Sequence, residues 1–185
     1  MNRGNKEQRV GVFVDVQNMY YSARNIYNAK VNFANILKEA VVGRKLIRAI
    51  AYVIKADIGE EQTFFEALKH IGYEVKAKDL QVFIGGAKKG DWDIGIAMDA
   101  IELAHKLDVI CLVSGDGDYV PLVQHLQRAL GCRVEVLAFG KSAAGKLKEA
   151  ADDFVDFDEQ APRYLIKRTE RRTPTRMEPV VPKAI

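Results

Sequence analysis

The most constraining feature of this chain is a pair of short runs, VGVFVD at 10–15 and VICLVS at 109–114, that are apolar at nearly every position and end in polar residues. A strand with one face in water alternates polar and apolar residues. A run this uniformly apolar is buried on both faces, as happens when helices cover both sides of a sheet. Further strand candidates lie at 47–54, 73–78 and 133–139, with a short last one at 153–157. Helix-period segments fall around and between them, at about 18–27, 32–42, 59–71, 93–107, 119–130 and 142–151. This alternation predicts an α/β protein, a three-layer α/β/α sandwich around a mainly parallel central sheet.

The 185 residues suffice for one domain with a sizeable core. No apolar run approaches the ~20 residues that span a bilayer, so no membrane partner is expected. The opening MNRGNKEQRV lacks the apolar centre of a signal peptide, which makes the cytoplasm the expected location. Cys111 and Cys132 stand in apolar strand-like surroundings without metal-ligand spacing and read as buried thiols. The net charge of +3 hides an asymmetry: from Arg163 onward the balance is +5, leaving −2 for the rest. The basic, proline-containing segment 161–185 shows neither helical nor strand period and is expected to be disordered. A basic arm of this kind can also contact nucleic-acid phosphates.

In open parallel sheets, ligands bind beyond the carboxyl ends of the strands, so acids placed there carry the most information. The first strand ends in Asp15, with Asn18 close behind. The strand at 109–114 runs into SGDGD, placing Ser114, Asp116 and Asp118 at its tip. The turn KKGDWD leads into a helix with Asp91 and Asp93 at its start and Asp99 about two turns along. If the first and fourth strands are neighbours, these acids converge. Several carboxylates without matching cations repel one another unless protonated or bridged by a cation, and Mg2+ or Mn2+ suits an all-oxygen set. Such an ion binds phosphate oxygens and activates water. Each acid also has a bland reading. Asp15 and Asp118 could cap the helices that follow them, Asp91 could serve the turn, and Gly95, Asp99, Glu102 and Lys106 form a stripe that could face water. Asp116, between two glycines, is the hardest to read that way.

Taken together, FVDVQN, KKGDWDIGIAMDA and VSGDGDYVPLV resemble the NYN domain, in its LabA/DUF88-like branch, over about residues 8–160. The resemblance implies a PIN-like fold shared with metal-dependent ribonucleases. It implies a site of Asp15, Asn18, Asp93, Asp99, Asp116 and Asp118 with Ser114 beneath, and Asp15, Asp93 and Asp116 as metal ligands. The expected activity is hydrolysis of RNA, single-stranded for preference. Lys88 and Lys89 would meet the substrate backbone, and Tyr20, Tyr21 and Trp92 border the pocket where bases could stack. The competing readings are a nuclease-like fold that binds RNA or protein without cutting, and a phosphatase or nucleotide hydrolase using the same metal chemistry. Self-association into a homo-oligomer stays open.

One further motif is a decoy. GKSAAGKL at 140–147 follows a strand as a phosphate-binding loop does, but Leu147 stands where Ser or Thr must hold Mg2+. His70, His105 and His125 fall in separate predicted helices and form no paired site.

Overall fold

The computed structural model describes residues 5–55, 61–82, 88–89 and 91–166. In chain order the elements begin with β1 (Arg9–Asp15), α1 (Val16–Tyr27), β2 (Lys30–Val31), α2 (Phe33–Val41), β3 (Lys45–Lys55), α3 (Glu61–Ile71) and β4 (Glu74–Asp79). They continue with β5 (Gln81–Val82), β6 (Lys88–Lys89), α4 (Asp93–Leu103), β7 (Val109–Val113), α5 (Val120–Arg128), β8 (Arg133–Ala138) and α6 (Gly145–Ala150). Last come β9 (Asp153–Asp156), α7 (Ala161–Tyr164) and β10 (Leu165–Ile166). Each expected strand and helix is present, with ends moved by a few residues; positions 59–60 of the third expected helix lie outside the described residues.

Six strands form one sheet in the order β4-β3-β1-β7-β8-β9, every pairing parallel. The protein is therefore an α/β fold of the PIN-like kind. β1 and β7 are the central neighbours, and this is the reason for their unbroken apolar sequences. Along β1, Val10, Val12 and Val14 enter one core while Phe13 enters the other, as a strand's two-residue period requires. Met19 of α1, Ile36 of α2 and Leu68 of α3 close the first core. Ile96 of α4, Val123 of α5 and Leu147 of α6 close the second. From β1 the chain builds outward through β3 and β4, then returns to build outward on the other side through β7, β8 and β9. The β1/β7 junction is thus the point where the winding reverses, and ligands bind at such points in open α/β sheets.

One buried feature has no counterpart in the sequence patterns. Arg44 and Glu135 are 0% and 1% exposed and form a two-pronged ion pair, both N–H···O distances 2.8 Å. Arg44 also donates to the Ala40 and Val41 carbonyls, closing the C-terminal end of α2. The pair joins α2 to β8 through the core, beside buried Cys111. Cys132 is buried as well, donating to the Ala104 and Leu107 carbonyls.

At the other end, β10 pairs antiparallel with β2, and Arg163 reaches Glu39 of α2 at 3.0 Å. Of the segment 161–185, expected to be disordered, residues 161–166 instead form α7 and β10, held by the β2 pairing and Arg163, and those from 167 onward lie outside the described residues. Among the described residues, no helix is long and apolar enough to cross a membrane.

Candidate acidic metal site

β1 ends at Asp15, whose carboxylate caps α1 by accepting the Asn18 N–H at 3.0 Å. The capping role and a place in the cavity coexist, because the cap leaves the second oxygen for Ser114 Oγ at 3.4 Å. Asn18 lies one turn into α1, and its amide oxygen accepts the Gly115 N–H at 3.0 Å. The first motif is thereby tied directly to the SGDGD turn. Ser114, fully buried, accepts the Asp116 N–H at 3.2 Å. Within the turn, Asp116 takes the capping role by accepting the Asp118 N–H at 3.0 Å, and Asp118 lies in the short 3-10 turn it caps. Of the two, the sequence favoured Asp118 as the cap; the geometry assigns that role to Asp116.

Opposite this turn, α4 begins at Asp93, which accepts the Tyr119 hydroxyl at 3.0 Å. Carboxylate oxygens of Asp93, Asp116 and Asp118 all lie within 4.8 Å of one another. Asp15 stands outside this tightest group but lines the same cavity, of about 360 Å³, with Asp91, Asp93 and Asp116. Gln17, Tyr21, Ser22, Asn25 and Trp92 supply other parts of the wall, and among the described residues no lysine, arginine or histidine lines it. A larger groove of about 470 Å³ beside α2 is lined mainly by apolar groups and lies away from the acids.

The electrostatics follow from this crowding. Burial, reinforced by the charges of Asp93 and Asp116, raises the Asp15 pKa to about 6. Asp93 is also raised, chiefly by burial, with Asp116, Asp91 and Asp118 adding to it and the Tyr119 hydrogen bond opposing it. Burial and the nearby carboxylates of Asp15 and Asp93 raise the Tyr119 phenol, so it stays protonated as a donor. Hard oxygen donors that repel one another are what a divalent metal ion relieves. The residues present fit such an ion.

Asp99 is placed differently from the resemblance. Two turns along α4, its carboxylate accepts the Tyr52 hydroxyl at 2.6 Å and pairs with Lys76 Nζ at 2.7 Å. It is not among the cavity's lining residues: it pairs with Lys76 on β4 and with Tyr52, whose ring packs on Trp92 in the cavity wall. Nor does the Gly95–Asp99–Glu102–Lys106 stripe simply face water, because Asp99 is turned toward β4. Trp92 is fixed by donating to the Val53 carbonyl at 2.8 Å and carries Lys78 Nζ 4.8 Å above its ring. Tyr21 lines the cavity; Tyr20 packs edge-on beside it without being among the lining residues. Lys88 and Lys89 form the short strand β6 against β5, and their side chains lie outside the described residues.

The GKSAAGKL loop has its own task. Its N–H groups from Gly140 to Ala144 are all taken: by Asp156, Asp158, the Phe139 carbonyl twice, and the Gly115 carbonyl. No row of free donors remains for a phosphate, and α6 starts only at Gly145. Instead the loop braces the acidic turn. A Cβ on Gly115 would stand 3.0 Å from the Ala143 Cα, so any larger residue would crowd this approach. Ser142 lines the cavity and bonds Ser22 Oγ at 2.9 Å. Tyr119 and Ser142 were both missed from sequence. The one signal for Tyr119 was its place directly after SGDGD, and Ser142 was hidden inside the decoy.

Residues 9–159 match the NYN domain family. The chain is 27% identical over 191 residues to the low amplitude and bright protein LabA of Synechococcus elongatus, covering 95% of this chain and 97% of that protein. It superposes with TM-score 0.80 and 32% identity on the crystal structure of a protein of unknown function from Vibrio parahaemolyticus, covering 89% of this chain and 99% of that one.

Proposed function

The chain belongs to the NYN domain family, and from that premise we propose that it is a Mg2+- or Mn2+-dependent ribonuclease acting on single-stranded RNA. The observation that carries this reading is the convergence of Asp93, Asp116 and Asp118 within 4.8 Å, the first two lining a cavity together with Asp15. In the proposal Asp15, Asp93 and Asp116 hold the metal, with Asp118 completing the oxygen set. The ion would supply charge neutralisation for phosphate oxygens and a more acidic water. The chain's residues do the rest. Asn18 fixes the SGDGD turn through the Gly115 N–H, and Tyr119 Oη sets the orientation of Asp93. Tyr21 and Trp92 offer ring faces at the cavity wall to unpaired bases, which stack on such faces without regard to sequence. Asp99 is proposed to act on the wall through Tyr52 and Trp92.

The test is incubation of single-stranded and duplex RNA with the purified protein, in Mg2+, in Mn2+ and in EDTA, beside Asp116→Asn. Cleavage of the single strand only, lost in EDTA and in the variant, is the expected result. Products that persist in EDTA would overturn the assignment. Salt-dependent RNA binding without metal-dependent products would leave a non-catalytic RNA-binding module, the reading to which the basic segment also contributes.

A further inference from the structure

The acidic cavity is flanked on two sides by an aromatic ring that carries a cation. α1 packs through Val16, Met19 and Ala23 on one face of the sheet, and α4 packs through Ile96 and Ala100 on the other. Between these layers stand Asp15, at the end of β1, and Asp116, just past β7. On the α1 side, Gln17, Tyr21 and Asn25 line the cavity at four-residue spacing. The adjoining row of that helix holds Tyr20 and Arg24. Tyr20 and Tyr21 are 45% and 49% exposed, with ring centroids 5.4 Å apart, and the exposed Arg24 guanidinium lies 5.9 Å from the Tyr20 centroid. On the α4 side, Trp92 lines the cavity and Lys78 of β4 holds its ammonium 4.8 Å above that ring. Lys76, two residues earlier, is paired with Asp99, whereas among the described residues neither Lys78 nor Arg24 is paired with a carboxylate.

We infer that a single strand of RNA crosses the carboxyl edge of the sheet through this cavity, held on the α1 side by Tyr20, Tyr21 and Arg24 and on the α4 side by Trp92 and Lys78. The inference rests on the ribonuclease reading, which supplies the acidic centre, and adds where the strand lies on either side of it. Carboxylates repel a phosphodiester chain, so the folded body must grip it beside them. Each flank offers what a nucleotide can use: a ring face for its base and an unpaired cation for its phosphate. A base stacked on a ring outweighs an exposed cation lying on the same ring. It therefore displaces the Lys78 ammonium, whose flexible stem lets it swing to the adjacent phosphate. The Trp92 ring stays in place. Its N–H is held by the Val53 carbonyl at 2.8 Å, and Gly95 packs so closely that a Cβ there would stand 2.5 Å from Cε3. An acidic peptide would meet the same cations but bring no base to the rings. A duplex keeps its bases stacked on one another. Because both flanks are engaged, the path needs no free strand end.

Trp92 is the chain's single tryptophan, so its emission reports this contact directly. The full chain is titrated with RNA in Ca2+, an ion that fills oxygen donors, and affinity is followed by anisotropy over a salt series. Single-stranded RNA, linear or circular, should quench Trp92, and duplex RNA should not. Lys78→Gln and Arg24→Gln should each raise Kd with an unchanged melting curve. Each should flatten the slope of log K against log salt by about 0.7, and the double variant by about 1.4. Lys78→Arg and Arg24→Lys should keep the wild-type slope. Products in Mg2+ or Mn2+ from a protein whose slope neither variant moves would overturn the path and leave the ribonuclease. Quenching and variant effects without such products would overturn the ribonuclease and leave the path. A slope moved by only one of the two variants, a circle that does not bind, or a duplex that quenches as strongly would each overturn the crossing. RNA that is neither bound nor cut would overturn both.

Discussion

Asp15 is held out of water with two other carboxylates near it, so the fold favours its neutral form. Its pKa of about 6 lies above the ordinary 3.8, so the stability it contributes is complete below about pH 4 and is lost as pH rises through 6. At neutral pH and without metal, the ionised group therefore costs the fold about 2–3 kcal/mol. Asp15→Asn keeps the cap on α1 and removes that charge. In urea unfolding with EDTA at pH 7.5 the variant should be the more stable protein, and at pH 4 the advantage should vanish. Equal stability at pH 7.5 would show that Asp15 carries no such strain. Tyr119→Phe keeps the ring and removes the hydroxyl that donates to Asp93. Mn2+ affinity, followed by titration calorimetry, should fall about 10-fold or more while the melting curve moves little; unchanged affinity would reduce Tyr119 to packing. That the acids converge was legible, because strand ends and glycine-flanked turns mark them in the sequence. Which of them crowd most closely was not. Tyr119 stands 26 residues from Asp93, and Lys76 stands 23 from Asp99; no linear spacing reveals those partners.

Elements were the most legible level, since apolar period depends on local sequence alone. Their ends moved where tertiary contacts intervened. α6 begins at Gly145, later than the expected 142, because the preceding residues brace the acidic turn through Ala144 N–H and Ser142. The joint between α2 and β8 was not legible at all. Arg44 in VVGRKL reads as a turn residue and Glu135 in RVEVLAF as a solvent-facing strand position, yet they meet in the core across 91 residues. Removing one partner leaves the other charged and buried. Arg44→Met should therefore cost about 3–5 kcal/mol in urea unfolding. The double variant Arg44→Met/Glu135→Leu should recover most of that loss. If the single variant were as stable as the wild type, the pair would not be holding α2 to the sheet.

For the whole molecule, the sequence posed a condition: the acids converge only if the strands expected at 10–15 and 109–114 are neighbours. Residues Val10–Val14 of β1 pair in parallel with Val109–Val113 of β7, so the condition is met, and at the point where the winding reverses. The topology gathers negative charge at one edge of the sheet, while the sequence places positive charge after it. Residues 167–185 hold a balance of +4, and they follow β10, which is fastened beside α2 through β2 and Arg163. This division argues for separate tasks: affinity from a salt-sensitive basic segment, and the metal site from the folded body. A chain ending at Ile166 keeps every described element and should retain its melting temperature and Mn2+ affinity. Its affinity for single-stranded RNA should fall. The slope of log K against log salt should flatten by up to about 4, at roughly 0.7 for each phosphate that is no longer neutralised. Filter binding over a salt series reads this directly. An unchanged slope would mean that the folded body alone meets the phosphates, and would direct attention to Lys78 above the Trp92 ring as their first contact.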